Sequence, residues 1–301
     1  MLLVVAFVLI AAATLSKGVQ ATQVPGEPRT HLKLHTTRQS PTDLEISGIP
    51  HTPHGYLTYA ELESLPQISA TLVNNTEFPG QTTHVTGISL EALIEALEAP
   101  PSLDLVIALC TDGYHTHFPS NSIRSHHPIL VLVVDGQTSM SWAKSTHKSD
   151  PGPYLIVYDQ FVPDFKVLAH EDEPQIPINI TALHFTSAAQ TFKAITPPEG
   201  TLPDSPVQQG FAIAKQNCLR CHAMGTTGGQ KSNVTWSTIS SLAKARPDIV
   251  GSYVVNPKSV IPDASMPGWP EYDAPTIAAL VAYFQSLPKV PPSSPRRVTR
   301  E

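Results

Sequence analysis

The stretch Cys218-Leu219-Arg220-Cys221-His222 is the most informative part of this 301-residue chain. Two thiols three positions apart on one helical turn can reach two vinyl groups of a single porphyrin, and the next residue then presents its imidazole to the iron. A zinc site would need a second ligand pair at finger-like spacing, and none follows His222. A thioredoxin-like redox pair would need a βαβ setting, whereas the flanks have helical patterns. The motif therefore predicts covalent attachment of one c-type haem.

Predicted helices lie on both sides of the motif. Upstream, Ser205-Pro206-Val207-Gln208 combines an N-cap serine with a proline at the first helical position. Downstream, apolar residues recur at helical spacing over 277–287, and Asp273 can cap this helix. Met266 lies 44 residues after His222 in a Met-Pro loop. Its thioether suits a sixth iron ligand, because soft sulfur stabilises Fe(II).

Residues 205–288 resemble a class I cytochrome c domain. The family pattern occurs in order: Gly210-Phe211 in the first helix, the Cys-x-x-Cys-His motif, the Met-Pro loop, and Tyr283-Phe284 in the last helix. The resemblance implies an all-α domain whose first and last helices cross where the glycine lets an aromatic residue approach. It also implies one covalent haem c held by four residues: Cys218 and Cys221 through thioethers, His222 and Met266 through the iron.

The N-terminus predicts export. Residues 2–15 are almost wholly apolar, and Val19-Gln20-Ala21 offers a small-residue cleavage site. The apolar run is short of the roughly 20 residues that span a bilayer, so 1–21 is predicted to be a signal peptide. No basic residue precedes the run. The alternative that the segment is an uncleaved membrane anchor therefore stays open. A periplasmic location agrees with the haem, since bacteria attach haem c outside the cytoplasmic membrane.

Composition divides the remaining chain. We predict an N-terminal extension at 22–54, an α+β domain at 55–195, a Pro-rich linker at 196–204, the cytochrome domain at 205–288 and a disordered tail at 289–301.

Charge is distributed unevenly between these segments. Residues 22–204 carry 8 basic and 20 acidic side chains, a net of −12, whereas residues 205–288 carry 6 and 4, a net of +2. This pattern argues against a nucleic-acid partner. It favours electrostatic docking of one domain on the other or on redox protein partners.

Helix and strand signals alternate in the front domain. Thr58-Tyr59-Ala60-Glu61 predicts a capped helix, and 89–99 has the apolar pattern of a second helix. Asp112-Gly113 predicts a tight turn between two strands. The predicted strands cover residues 105–111, 114–118, 129–134, 154–158 and 178–185. This order predicts an α+β fold.

The front domain resembles, more loosely, the molybdopterin-binding core of the sulfite oxidase superfamily. The likeness rests on five short stretches: Leu57-Thr58-Tyr59-Ala60-Glu61-Leu62, Thr86-Gly87-Ile88-Ser89-Leu90, Asp112-Gly113-Tyr114, Pro128-Ile129-Leu130-Val131 and Gly152-Pro153-Tyr154-Leu155. In that family a cysteine thiolate binds molybdenum, and the corresponding stretch 70–78 contains no cysteine. Arg124 is the only lysine or arginine between 40 and 140, so little is present to hold a pterin phosphate. We therefore expect this fold without molybdopterin.

An alternative metal site involves Cys110, His115 and His117. The two histidines lie two apart on a predicted strand and point to one face, and His126 and His127 follow the next turn. Converging imidazoles would suit copper or zinc. The competing interpretation is a solvated polar strand face with Cys110 as a small buried hydrophobe.

Two functions follow from these observations. The first is periplasmic electron transfer by a monohaem carrier with His/Met ligation and an attached docking domain, without catalytic residues. The second is an oxidoreductase, sulfite-oxidase-like if it is an enzyme, whose front domain uses molybdopterin or another metal and passes electrons to its own haem. The missing cysteine and the scarcity of basic residues favour the carrier.

Replacing Met266 by alanine tests the sixth ligand. We expect Met266→Ala to abolish the near-infrared sulfur-to-iron charge-transfer band and to lower the reduction potential, because a harder ligand favours Fe(III). Met224→Ala is the control, since Met224 lies two residues after His222 and cannot reach the opposite face of the ring. The reverse outcome, with only Met224→Ala abolishing the band, would refute the assignment.

Overall fold

Strands dominate the chain before residue 206, which we call the front part. From residue 206 onward the regular elements are helices. The computed structural model describes residues 32–50 and 52–288. The strands are β1 (Leu44–Ile49), β2 (Thr52–Leu57), β3 (Ile68–Asn75), β4 (Phe78–Ser89), β5 (Leu105–Cys110), β6 (His115–Pro119), β7 (Ile129–Val134), β8 (Gln137–Thr138), β9 (Leu155–Val157), β10 (Lys166–Val167), β11 (His170–Glu171) and β12 (Ile180–Thr186).

The helices have between 4 and 13 residues. They are α1 (Tyr59–Glu63), α2 (Leu90–Ala96), α3 (Ser120–His126), α4 (Ser139–Thr146), α5 (Ala188–Phe192), α6 (Pro206–Asn217), α7 (Trp236–Ala245), α8 (Pro247–Val255), α9 (Pro257–Val260) and α10 (Ala274–Ser286). Two 3-10 turns follow α5 and α6, at Lys193–Ile195 and Cys218–Arg220. The predicted mixture of helices and strands in the front part is confirmed.

Two main sheets organise the front part. The first has the order β2-β1-β12-β5-β6, in which β1 and β12 are parallel and the other neighbours antiparallel. The second runs β3-β4-β7-β8, with β9 also paired to β7. Strand β1 lies in the segment predicted as an N-terminal extension, yet Leu44 and Ile46 are fully buried. The sheet therefore begins before residue 55.

Local signals place several elements as predicted. Thr58 caps α1 reciprocally with Glu61: its N–H donates to Glu61 Oε2 at 2.8 Å, and its hydroxyl accepts from the Glu61 N–H at 3.3 Å. The Asp112-Gly113 turn joins β5 to β6. Helix α2 ends at Ala96, earlier than predicted, because Glu98 adopts a left-handed conformation and two prolines follow at 100–101.

Strand β5 separates two hydrophobic cores. Its even residues, Val106, Ala108 and Cys110, pack into the core between the sheets of the front part. Its odd residues face the opposite way, where Leu105 and Ile107 belong to the core formed by the C-terminal helices. A strand buried on both faces thus joins the front part and the helices within one compact unit.

Helices α6 and α10 meet at Gly210. A Cβ on this glycine would lie 2.0 Å from the Ala279 carbonyl oxygen and 2.8 Å from Tyr283 Cβ. Tyr283 is fully buried, with Phe211 at a ring-centroid distance of 5.5 Å. The Tyr283 hydroxyl donates to the Ile195 carbonyl at 2.6 Å, which ties α10 to the end of the front part. The close crossing depends on the absence of a side chain at 210.

Several predictions concern residues outside the described ranges: the signal peptide at 1–21, part of the extension and the tail at 289–301. Within 32–50 and 52–288, no helix has both the length and the apolar character needed to cross a membrane.

Gly210→Ala should destabilise the fold by about 1–3 kcal/mol, because the added methyl group collides with the α10 backbone. A glycine-to-alanine change in an unobstructed helix interior instead stabilises by about 0.5–1 kcal/mol. Urea denaturation measures the change. Gln209→Ala is the matched control on the same helix and should have little effect; an unchanged or higher stability of Gly210→Ala would contradict the close crossing.

Candidate functional site

The Cys-x-x-Cys-His motif forms a single helical turn at the end of α6. The backbone N–H groups of Cys221 and His222 both donate to the Cys218 carbonyl, at 3.2 and 3.0 Å. The side chains of the two cysteines and the histidine therefore leave the backbone within one turn. Helix α6 begins as predicted, with the Ser205 hydroxyl accepting from the Gln208 N–H and Pro206 in the first turn.

His222 is held in one orientation and one tautomer. Its Nδ1–H donates to the Val234 carbonyl at 2.6 Å, and a carbonyl can only accept. The proton therefore lies on Nδ1, and Nε2 keeps its lone pair. Burial lowers the pKa of this imidazole, and the bond to Val234 offsets that effect only in part. The ring is thus neutral near pH 7 and suited to ligate a metal.

The loop after the motif wraps the turn closely. The N–H groups of Gly229 and Ser232 donate to the carbonyls of Leu219 and Cys221, at 2.8 and 3.0 Å. Gly228 has a φ of +91°, and a Cβ there would lie 2.6 Å from a methyl carbon of Leu219. Glycine is required at 228 both by its conformation and by its surroundings.

The two motif thiols are free and protonated. Burial raises the pKa of Cys218 to about 12 and also raises that of Cys221, with Lys231 and Arg220 opposing the rise at Cys221. In the described part of the chain, the donor atoms of Cys218, Cys221 and His222 do not gather within 4.8 Å of one another. Tetrahedral zinc needs ligands closer together than this, whereas a porphyrin takes thiols at its edge and the imidazole at its centre. The donor set fits haem better than zinc.

The segment that follows Met266 is hydrogen-bonded to the end of α6. Met266 is half-buried between α9 and α10. Farther along, the Trp269 N–H donates to the Val254 carbonyl at 3.0 Å. The Tyr272 hydroxyl accepts from Asn217 Nδ2 at 2.8 Å, and Asn217 directly precedes the first motif cysteine. The Met266 segment is therefore connected to the end of α6.

The Asp112-Gly113 turn of the front part contacts the loop after the motif. Lys231 Nζ lies 2.6 Å from Asp112 Oδ2, and the Gln230 N–H donates to the Gly113 carbonyl at 2.7 Å. A Cβ on Gly113 would come within 2.9 Å of the Gln230 backbone. An ion pair and a backbone hydrogen bond thus join the β5–β6 turn to the loop after the motif.

The residues Cys110, His115 and His117 do not form a three-ligand cluster. Cross-strand pairing of Leu109 with His115 places both histidines on the β5–β6 face that meets the helices, whereas Cys110 faces the front core. Among the described residues their donor atoms do not come within 4.8 Å as a group. His117 is nevertheless unusual, because both ring nitrogens are buried without a hydrogen-bond partner.

His117 faces a cavity that no local sequence signal indicated. The cavity has a volume of about 650 Å³ and lies between β6, the segment 158–175 and α6. Its lining includes Asp172, Phe192, Lys215 and Gln216. These residues are far apart in sequence, so only the tertiary fold brings them together.

Comparison with known proteins found similarity to several chains of solved structures. No protein-family model and no curated protein matches the chain. The crystal structure of the sulfane dehydrogenase SoxCD from Paracoccus pantotrophus is similar over 55% of this chain and 45% of that chain, with 15% identity and a TM-score of 0.34. The match thus spans less than half of that chain's length.

Cys110 should resist alkylation in the native protein. Burial raises its pKa to about 12, so the thiol stays protonated at pH 8 and is a poor nucleophile. We expect iodoacetamide to label Cys110 only after unfolding, as read by peptide mass spectrometry. EDTA should not increase the labelling, because no metal masks the thiol; fast native labelling, or labelling released by EDTA, would contradict this role.

Proposed function

We propose that this chain is a monohaem c-type cytochrome that transfers electrons. In this proposal Cys218 and Cys221 bind the haem through thioethers, and His222 and Met266 are the axial ligands. The haem, when bound, supplies one-electron exchange at its iron. The residues of the chain bind it, orient its proximal ligand and restrict access of water.

The hydrogen bond from His222 to Val234 is the observation that supports this proposal most strongly. It orients the imidazole and leaves Nε2 unprotonated, which is what an iron ligand requires. The surrounding loop adds rigidity, since Gly228 and Gly229 let its backbone pack against the motif turn. A loop packed in this way would keep the proximal imidazole in one orientation.

The helices provide the second support. Gly210 allows α6 and α10 to cross closely, and Trp236, Tyr283 and Phe284 form a buried aromatic cluster beside the crossing. This is the arrangement that the resemblance to class I cytochromes c implies. The buried aromatic cluster packs the last helix, α10, firmly against its neighbours.

We propose that the front part docks redox protein partners and carries no molybdopterin. Its sequence supports this role through a net charge of −12 and through the missing cysteine at 70–78. A basic partner would bind this acidic part with an affinity that falls as salt rises. The proposed setting is the periplasm, with the segment 1–21 as the export signal.

Serine variants test the haem attachment. In cells with a cytochrome c maturation system, we expect the wild-type chain to keep its haem through denaturing electrophoresis. Cys218→Ser and Cys221→Ser should each lose stable attachment and the double variant should retain none, because each thioether needs its own sulfur. Haem staining of the denatured band measures this.

Cys110→Ser is the matched control, since Cys110 lies in the front core and should leave staining unchanged. Equal staining of the double variant and the wild type would overturn the proposal, and so would the absence of covalent haem from the wild type.

A further inference from the structure

Three metal-ligating side chains converge beside the cavity, away from the haem motif. His126 ends α3, and its side chain is only 2% exposed. Its Nε2 lies 3.1 Å from Asp164 Oδ2 and 3.3 Å from Asp172 Oδ2. The three donor atoms all lie within 4.8 Å of one another, and no other described residues form such a group. Both carboxylates line the cavity.

These separations fit ligands of one ion. Metal–ligand bonds of about 2.0–2.2 Å place neighbouring ligands about 3–3.5 Å apart. The alternative is a hydrogen bond, but the buried Nε2 of His126 has no partner with acceptable hydrogen-bond geometry among the described residues. A buried polar nitrogen that makes no hydrogen bond destabilises the folded protein. A bound cation would use its lone pair.

The neighbouring residues hold these ligands in place. Asp172 is buried and accepts hydrogen bonds from the Asp164 N–H, at 3.1 Å, and from the Gln216 side chain. Asp164 accepts from the Ser125 hydroxyl. The His126 ring stacks on Phe161 with centroids 4.3 Å apart. Second-layer contacts of this kind orient metal ligands.

His117 provides an independent sign that the cavity takes a ligand. It lines the same cavity, is at least nine-tenths buried, and has no partner for either ring nitrogen among the described residues. Burial lowers its pKa to about 3, so the ring is neutral. A neutral imidazole at a cavity wall, with neither ring nitrogen hydrogen-bonded, could bind a polar ligand in the cavity.

We propose that His126, Asp164 and Asp172 bind one divalent first-row transition metal at the wall of this cavity. One imidazole and two carboxylates suit Mn²⁺, Fe²⁺ or Zn²⁺, and the two carboxylates neutralise the charge of the ion. Three protein ligands leave coordination positions open, as in metal sites that bind a further small molecule. The cavity that Asp164 and Asp172 line would provide the space for that molecule.

The proposed metal site lies in the front part and is hydrogen-bonded to α6, the helix that leads into the Cys-x-x-Cys-His motif. Gln216, which donates to Asp172, lies on α6 two residues before Cys218. Gln216 also bonds His170, whose Nδ1 is 2.9 Å from the Tyr272 hydroxyl. A continuous hydrogen-bonded chain therefore connects Asp172 with the end of α6. Metal binding does not depend on the haem, since none of these ligands belongs to the haem motif.

Metal titration of the full chain tests the proposal. The purified protein is stripped with EDTA and titrated separately with Mn²⁺, followed by loss of the free-ion EPR signal, and with Zn²⁺, followed by calorimetry. We expect one equivalent of either ion to bind. Iron is counted separately, so the result is independent of haem attachment, and failure of the cytochrome proposal would leave it unchanged.

Variants identify the ligands. Asp164→Asn and His126→Gln should each weaken binding at least about tenfold, since even second-layer changes cost about 10–100-fold. His127→Gln is the matched control, because the adjacent His127 is 70% exposed and bonds Glu91 instead. Asp164 is 43% exposed, so Asp164→Asn should fold even if His126→Gln does not.

Three results would overturn the proposal. These are the absence of a stoichiometric ion, unchanged affinity in Asp164→Asn with native circular dichroism, and equally tight binding of Mg²⁺ or Ca²⁺, which would indicate a simple carboxylate pair. One equivalent of transition metal, weakened by Asp164→Asn and unaffected by His127→Gln, supports it.

Discussion

Burial of β5 on both faces is the constraint on which the rest of the structure depends. Val106 and Ala108 complete the core between the sheets, while Leu105 and Ile107 complete the core of the helices. At about 25 cal/mol per Å² of buried apolar surface, neither face can be exposed without large cost. The helices are therefore fixed against the sheet, and the turn after β5 is fixed against the motif.

That packing determines how the motif is supported. The Asp112-Gly113 turn meets the loop at 230–231, and this loop in turn closes on the turn that carries the cysteines. His222 is oriented by the same segment through Val234. The proposed haem site and the front part are consequently held together by this turn and this loop. The cavity that Asp164 and Asp172 line also has Lys215 and Gln216 of α6 in its wall.

Features that depend on neighbouring residues could be predicted from the sequence, whereas long-range pairing could not. The capping box at Thr58, the Asp112-Gly113 turn and the Ser205 cap are encoded within four residues, and the structure has all three. The parallel pairing of β1 with β12 joins residues about 137 positions apart, as Ser47 and His184 show. Likewise His126 could be noticed as a histidine, but nothing near it in sequence points to Asp164 or Asp172.

Tandem mass spectrometry of the wild-type chain, matured in cells that attach haem c, tests the central claim most directly. The account predicts a proteolytic peptide containing 218–222 that carries one haem joined through thioethers to both Cys218 and Cys221, with Cys110 recovered as a free thiol. A peptide whose two cysteines are free, or joined to each other in a disulfide, would contradict it.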